Sequence, residues 1–486
     1  MIDVLFVKPS AKAVKKIIAP PLGIMSLSSQ LKKRGYSTGL VDMPLHSIPE
    51  EDAVERIISC QPKIVGFTVM SIDAPLAYRM ARKIREEAPH IMIVMGGAHP
   101  TADAQDVVFN GNVDLAFIGE SEISFTEFVE AFLDGREWRR IGGLAYEDHG
   151  MLKINRLDSL VDVDSIFPPD WDLVDLKRYH RIARGNPTLK SPKYASLLTS
   201  RGCVFKCTYC HGIFGSKVRQ RKAELVFDEI RDLHSRYGVD EFIIADDIFN
   251  YNTSRAERIC DLIIGSGLRL HLSFPVGLRA DIMTPGLLHK MKLAGTHSIS
   301  YAIETAAPRM QSFINKKLNL DKTREIIKLT DREGISTRGF FLLGLPTETP
   351  EETQLSIDFA NASRLNYADF MSVQPFPGTE MSRQVEALGF EWAFDPSKTD
   401  YYEPIYNFTK MERLKLVFLF RKANFLFYFN IRRLIRAFRL APRRSLYPFV
   451  IFFYLLRITA SYRQVAGIRK HAEHAPEKIP TPHPSV

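Results

Sequence analysis

The sequence predicts an α/β chain: a doubly wound parallel sheet, then a partial (β/α)6 barrel, then a helical C-terminal region. Short β-branched runs alternate with amphipathic stretches over residues 1 to about 140, and again from Tyr194 to about 385. Such alternation builds parallel sheets covered by helices. Residues 141–190 interrupt the two series with Phe167-Pro168-Pro169-Asp170-Trp171 and Gly185-Asn186-Pro187, which break any regular period and read as a linker. Trp171 reads as packing within it.

In the first unit the strands are Val4–Lys8, Thr38–Asp42, Ile64–Thr68, 91–95 and 115–118. The helical stretches are 23–34, 49–59, 75–86 and 124–133. Ligands on such sheets sit at the carboxyl ends of the strands. The loops there are 68–73, Gly96-Gly97-Ala98-His99-Pro100-Thr101 and Gly119-Glu120-Ser121-Glu122. A glycine pair lets backbone approach a large flat ligand. No G-x-G-x-x-G follows the first strand, which argues against a dinucleotide cofactor.

In the second unit the strands are 195–199, 241–245, 270–276, 298–302, 339–343 and 370–374. Thr284-Pro285 and the capping box Thr349-Pro350-Glu351-Glu352 mark two helix starts. In such barrels the chemistry gathers at the carboxyl ends of the strands.

The 486 residues leave room for two or three cores. Of five cysteines, three fall within eight positions, which argues for a reducing compartment over a disulfide framework. The N-terminal Met1-Ile2-Asp3-Val4-Leu5-Phe6-Val7 reads as a first strand, with no basic region of a signal peptide.

The cysteine triplet lies in Ser200-Arg201-Gly202-Cys203-Val204-Phe205-Lys206-Cys207-Thr208-Tyr209-Cys210, with the spacing C-x3-C-x2-C. A cubane iron–sulfur cluster normally takes four thiolates. Three on one loop hold three irons and leave the fourth open to a ligand that is not protein. Zinc favours paired C-x2-C units or histidine partners. Only one C-x2-C is present, and His211 follows too closely to complete a site comfortably. Chance cysteines in a core are the bland alternative.

This stretch resembles the cluster loop of the radical S-adenosylmethionine (SAM) superfamily, with Tyr209 as the usual aromatic before the last cysteine. The resemblance implies a [4Fe-4S] cluster on Cys203, Cys207 and Cys210, with SAM on the open iron. It implies SAM contacts from Asp246 and Asp247 to the ammonium, Arg279 to the carboxylate, and Glu304 to the ribose or sulfonium side. Tyr209 and the backbone at Gly344, in Gly344-Leu345-Pro346, belong to the same set. Bland readings stand beside these: a cap or solvated pair for the aspartates, a salt bridge for Arg279 or Glu304.

Gln374-Pro375-Phe376-Pro377-Gly378-Thr379 matches the cobalamin-type members of that superfamily. The first unit resembles the cobalamin-binding domain that precedes their barrel. Pro20-Pro21-Leu22-Gly23, the Gly96-Gly97-x-His99-Pro100 loop and Gly119-Glu120 carry this likeness. It implies corrin contacts at Thr68, Gly96, Gly97, His99, Gly119 and Glu120; a backbone-capping histidine is the alternative for His99. D-x-H-x-x-G is absent, because Asp42-Met43-Pro44-Leu45-His46 has the wrong spacing, so cobalt is expected without a protein histidine.

The resemblance covers roughly residues 1–385. Together with the composition of the remainder, it divides the chain into a Rossmann-like cobalamin domain (1–140), a linker (141–190), a TIM-type partial barrel (191–385) and a basic, aromatic helical region (386–486) with a disordered tail after His474. It implies that an electron from the cluster splits SAM into methionine and a 5′-deoxyadenosyl radical, which takes hydrogen from an unactivated carbon. Methyl transfer from cobalamin is the leading expectation, with few catalytic side chains, since the cofactors carry the hard steps. Ring formation or rearrangement without methyl transfer is the second. An RNA methylthiolating protein ranks low, because the first unit has only Cys60. An iron–sulfur redox sensor is the alternative that is not an enzyme. The expected electron donor is a flavodoxin or ferredoxin.

The net charge of +9 is local: residues 411–470 carry fourteen Lys/Arg against one acid, Glu412. Aromatics interleave with the arginines there, as in Phe425-Leu426-Phe427-Tyr428-Phe429 before Arg432-Arg433. No run reaches the ~20 apolar residues of a membrane span. The pattern fits an interfacial membrane contact better than nucleic acid, with a helical cap on the barrel as the bland alternative. The expectation is a cytoplasmic enzyme, peripheral at the inner face of the membrane, acting on a lipid, isoprenoid or tetrapyrrole-like substrate.

Overall fold

The computed structural model describes residues 2–10, 19–157, 159–395, 401–449 and Phe452. The tail after His474, and all of the basic segment beyond 449 except Phe452, lie outside the described residues.

The first sheet forms where the β-branched runs predicted it: β1 (Val4–Lys8), β2 (Thr38–Asp42), β3 (Ile64–Thr68), β4 (Met92–Gly96) and β5 (Leu115–Phe117). These five are parallel, in the order β2-β1-β3-β4-β5. Helices α1 (Leu22–Lys33), α2 (Met43–His46), α3 (Glu50–Ser59), α4 (Ala74–Glu87), α5 (Ala98–Ala102), α6 (Ala104–Asn110) and α7 (Glu122–Leu133) connect them. Two cores result. One packs Leu5, Val65 and Ile93 against Val54, Ala77 and Ile84. The other packs Val4, Phe6 and Phe117 against Ile24, Phe125 and Phe128. Strand order reverses between β1 and β3, and ligands bind at such a switch point.

The boundary expected near residue 140 falls short. β6 (Leu144–Asp148) and β7 (Met151–Ile154) form a hairpin that extends this sheet antiparallel to β5. His149 and Gly150, with φ of 51° and 79°, make its two-residue turn. Among the described residues between β7 and the next strand, the chain is irregular apart from a single 3-10 turn, Trp171–Leu173, and α8 (Leu176–Ala183). Trp171 is buried in the core shared with the barrel. Tyr179 Oη donates a very short hydrogen bond to Asp42, which also caps α2 through Leu45 N. Asp42 thus joins the linker to the first sheet.

The barrel strands β8 (Tyr194–Leu197), β11 (Glu241–Ile244), β12 (His271–Leu278), β13 (Thr296–Glu304), β14 (Ser336–Leu343) and β15 (Tyr367–Ser372) are all parallel and follow chain order. Between β8 and β11 run a two-residue ribbon, β9 (Ser200–Arg201) with β10 (Arg219–Gln220), and α9 (Ala223–Tyr237). α10 (Thr253–Gly265), α11 (Pro285–Leu293), α12 (Pro308–Phe313), α13 (Leu320–Arg332), α14 (Pro350–Ala362) and α15 (Glu380–Ala387) cover or follow the later strands. Thr284 caps α11, and the Thr349/Glu352 capping box starts α14, as the sequence predicts.

α16 (Arg413–Tyr428) and α17 (Ile431–Leu440) close the barrel's outer side. Leu416, Leu419, Phe420, Ala423 and Phe427 join the barrel core, so the inner face of this region is the helical cap. α17 is inside-out. Its buried Arg433 donates to the carbonyls of Phe427 (2.7 Å), Asn361 (2.8 Å) and Leu365 (3.2 Å). Ile431, Ile435 and Phe438 face outward instead. Among the described residues no helix is long and apolar enough to cross a membrane.

Candidate functional site

The cysteines sit on the loop 202–218, closed at its base by the β9–β10 ribbon. Gly202 opens it with φ +87°, and a Cβ there would lie 2.3 Å from Lys217 O. Only glycine allows the two arms to approach so closely. Gly202 N donates to Asp247 (2.9 Å) and Cys203 N to Gly215 O (3.1 Å). Across the loop, Thr208 N donates to Ile314 O (3.1 Å) and Met381 N to Thr208 O (2.8 Å). All three cysteines are free, and burial raises the Cys203 thiol. Cys60 ends α3 and Cys260 is buried in α10, both away from this loop.

Among the described residues no three Cys, His, Asp or Glu converge on a single-ion site. A cubane is larger than an ion, so its thiolates need not converge on one point. Three soft donors on one loop fit an iron–sulfur cluster.

Beside the cysteines lies a buried triad that the sequence indicated only in part. Tyr209 Oη donates to Glu304 Oε1 (3.0 Å), and Lys316 Nζ lies 3.3 Å from Tyr209 Oη and 3.5 Å from Glu304. Burial and the neighbouring carboxylate push the Tyr209 phenol well above its ordinary range, so it remains a donor. Glu304 ends β13 with φ +67°, beside a register shift in the β13–β14 ladder. A non-glycine residue in that region costs of order 1–3 kcal/mol and marks a geometry that the surroundings impose.

Two predicted SAM contacts are engaged within the protein. Asp246, fully buried, accepts from Thr199 N (2.6 Å), Thr199 Oγ1 and Ser200 Oγ (2.7 Å), which fixes the turn entering the cluster loop. Arg279 is bidentate to Asp281 (2.7 and 3.0 Å), donates to the Lys316 and Lys317 carbonyls (2.9 Å each), and stacks on Phe205. Its fork is therefore occupied, and the salt-bridge alternative describes it. Asp247 remains at the surface of the site. Gly344 has φ +85°, and its N–H donates to the buried Glu348 (2.8 Å), whose carboxyl is raised by burial to about 7.

The first domain presents a cleft at its switch point, with about 850 Å³ of empty space including its open mouth. Phe6, Gly66, Thr68, Gly96, Gly97 and Gly119 line it, and the cluster loop supplies Ile213 and Phe214 as a further wall. At Gly97, with φ +109°, a Cβ would lie 3.0 Å from Val69 O, so the bare backbone forms the cradle. An apolar cleft floored by glycine fits a broad flat ligand such as a corrin.

His99 does not line this cleft. Its Nε2 pairs with Tyr78 Oη (2.8 Å) and Asp106 (3.1 Å), and its Nδ1 with Ser71 Oγ (3.3 Å). Glu120 does line it, but its carboxylate is bound to Arg201 (3.2 Å) and Arg219 (2.8 Å). Arg201, Arg219, Glu122 and Lys316 are site residues that sequence reasoning missed. The positions of Arg201 and Arg219 at the two feet of the cluster loop were the available signal.

The B12 binding domain family model matches residues 12–129, and the Radical SAM superfamily model matches 197–360. An uncharacterised methyltransferase, PH0819 of Pyrococcus horikoshii, is 29% identical over 89% of this chain and 93% of its own. Cytidylyl-2-hydroxyethylphosphonate methyltransferase of Streptomyces wedmorensis is 26% identical over 82% of this chain and 84% of its own. Anaerobic magnesium-protoporphyrin IX monomethyl ester cyclase of Cereibacter sphaeroides is 28% identical over 83% of this chain and 66% of its own. Among solved structures, the cobalamin-dependent S-adenosylmethionine radical enzyme OxsB with aqua-cobalamin and SAM bound shares the fold, with a TM-score of 0.74 at 16% identity over 97% of this chain and 76% of its own. The two family models fall on the two sheets, the cleft of the first being walled in part by the cluster loop that precedes the helices of the second, and the chain belongs to the cobalamin-dependent radical SAM enzymes.

Proposed function

We propose that this enzyme transfers a methyl group from SAM, by way of cobalamin, to an unactivated carbon of a hydrophobic substrate. One observation carries the reading: the cluster loop itself walls the cleft of the first domain, through Ile213 and Phe214. When bound, the cofactors supply one-electron cleavage of SAM and a methyl carrier. The protein holds them in one cavity. Cys203, Cys207 and Cys210 hold the cluster. Tyr209, Glu304 and Lys316 orient SAM, with Asp247 and the Gly344 backbone at its edges. Thr68, Gly96, Gly97 and Gly119 seat the corrin. His99, Asp246 and Arg279 act on these parts through other residues.

Ring closure without methyl transfer is the second reading, favoured by the likeness to the cyclase. Anaerobic turnover with isotopically labelled SAM and a reductant such as flavodoxin or ferredoxin separates the two. The expected result is a product heavier by one methyl, with two SAM consumed, one appearing as 5′-deoxyadenosine and one as S-adenosylhomocysteine. A product without added methyl favours ring closure.

The substrate class rests on the C-terminal surface. Phe418, Phe429, Ile431 and Ile435 are 57%, 74%, 69% and 47% exposed. They form outward stripes on α16 and α17, among Lys415, Arg432 and Arg439. Basic residues at an anionic leaflet contribute about 1 kcal/mol each, and the aromatics add a component that salt does not remove. The occupant we infer is an anionic bilayer, where the enzyme meets a lipid, isoprenoid or tetrapyrrole-like substrate.

Stopping the chain before α16 would strip the barrel core, so point variants give the cleaner test. The full chain is expected to co-sediment with phosphatidylglycerol vesicles, less so at high salt. Phe429→Glu combined with Ile431→Glu is expected to weaken this at least tenfold with the fold intact. Equal, weak sedimentation of both proteins would remove the membrane reading and the support for a lipid-like substrate.

A further inference from the structure

Four buried charged side chains join the two domains at the foot of the cluster loop. Arg201 donates to Glu120 (3.2 Å) and Glu122 (2.6 Å), and Arg219 donates to Glu120 through both of its terminal nitrogens. Ser26 completes Glu122 (3.0 Å). The glutamates stand after β5 on the first domain, and the arginines begin and end the loop that carries the cysteines. Two positive and two negative groups neutralise one another, as burial requires.

The same arginines hold the wall of the corrin cleft. Arg219 donates to Phe214 O (3.1 Å), and the Arg201 guanidinium lies 5.2 Å from the Phe214 ring centroid. One loop therefore answers to both sites. A group on Cys203, Cys207 and Cys210 orders it from one side, and a group in the cleft presses on Ile213 and Phe214 from the other.

We propose that cluster loading and corrinoid binding are cooperative through this loop, with Glu120 as the positioning residue. The proposal rests on the corrin and cluster sites named above. A ligand that pays less to order an already ordered loop binds more tightly, and the coupling is reciprocal. Couplings of this kind span about 5- to 150-fold. The chain's own residues account for the effect: Glu120 joins the cleft rim to both feet of the loop, and Phe214 transmits the contact.

The test is a titration of hydroxocobalamin into the full chain, once with the cluster reconstituted and once stripped of iron by a chelator. We expect roughly tenfold tighter binding to the loaded form. Reciprocally, saturating hydroxocobalamin should tighten retention of iron against the chelator by the same factor. Glu120→Gln should bring the factor, the ratio of affinities of the loaded and stripped forms of the same variant, close to one, so that a direct effect on the corrin cancels. Phe214→Ala, which leaves the ion cluster in place but removes part of the cleft wall, should also bring the factor close to one, whatever its effect on the affinity of the stripped form, and guards against a variant that does not fold. A wild-type factor within twofold of one, or an unchanged factor in both variants, overturns the proposal. Binding to both forms without coupling leaves the corrin site standing, whereas no binding to either form removes both.

Discussion

Replacing Cys207 with alanine is expected to abolish both the cluster and the formation of 5′-deoxyadenosine. Cys203→Ala and Cys210→Ala should do the same. With three thiolates on one loop and the other two cysteines on α3 and α10, no second thiol stands ready to replace a lost one. Iron per chain and 5′-deoxyadenosine per hour, measured after anaerobic reconstitution, report the loss. Cys60→Ala and Cys260→Ala should keep both activities. Cys260 packs in the barrel core, so its replacement should cost stability alone, on the order of 1 kcal/mol. An active Cys207→Ala protein would contradict the assignment of the loop.

Gly202→Ala should be nearly as damaging, although glycine ligates nothing. The added methyl would sit 2.3 Å from Lys217 O and 3.1 Å from Phe214 O, at a φ of +87°. Strain of order 1–3 kcal/mol comes from the backbone angle alone. Relief requires parting the feet of the loop, which breaks the β9–β10 register between Arg201 and Arg219. The expected outcome is less than a tenth of the wild-type iron content with far-ultraviolet circular dichroism unchanged. Gly215→Ala is the control for the close contact alone: its φ of +76° carries the same backbone strain, but its Cβ would meet nothing within 4 Å, so its iron content should exceed that of Gly202→Ala. Iron content at wild-type level in Gly202→Ala would show that the loop has slack that these contacts do not suggest.

Features carried by local chemistry were legible in the sequence. The cysteine spacing, the β-branched strands and the caps at Thr284 and Thr349 each involve neighbours within a few residues. The β6–β7 hairpin was also open to reading: Asp148-His149-Gly150-Met151 holds a two-residue turn, hidden by the proline-rich stretch that follows. Charge pairs were the hard part. Glu120 and Arg201 stand 81 positions apart, and only the meeting of two sheets makes them partners. Arg279 reads equally as a SAM contact or a salt bridge; its partner Asp281 is two residues away, whereas the Phe205 ring and the Lys316 carbonyl that complete its surroundings are distant in sequence. His99 sits in a glycine-rich loop beside the cleft, yet Tyr78 and Asp106, from two other segments, turn it away. α17 misleads in the opposite sense: its arginines suggest a solvated face, whereas Arg433 satisfies carbonyls inside the cap and isoleucines face out.

Electron paramagnetic resonance of the reconstituted enzyme loaded with cob(II)alamin tests most directly whether cleft and cluster loop form one cofactor cavity. With His99 held by Tyr78, Asp106 and Ser71, cobalt should show no nitrogen splitting from a protein imidazole. Reducing the cluster should broaden the cobalt signal and speed its relaxation, because the two paramagnets share a wall. A cobalt spectrum with protein-nitrogen lines that vanish in His99→Ala, or one indifferent to the redox state of the cluster, would contradict the account.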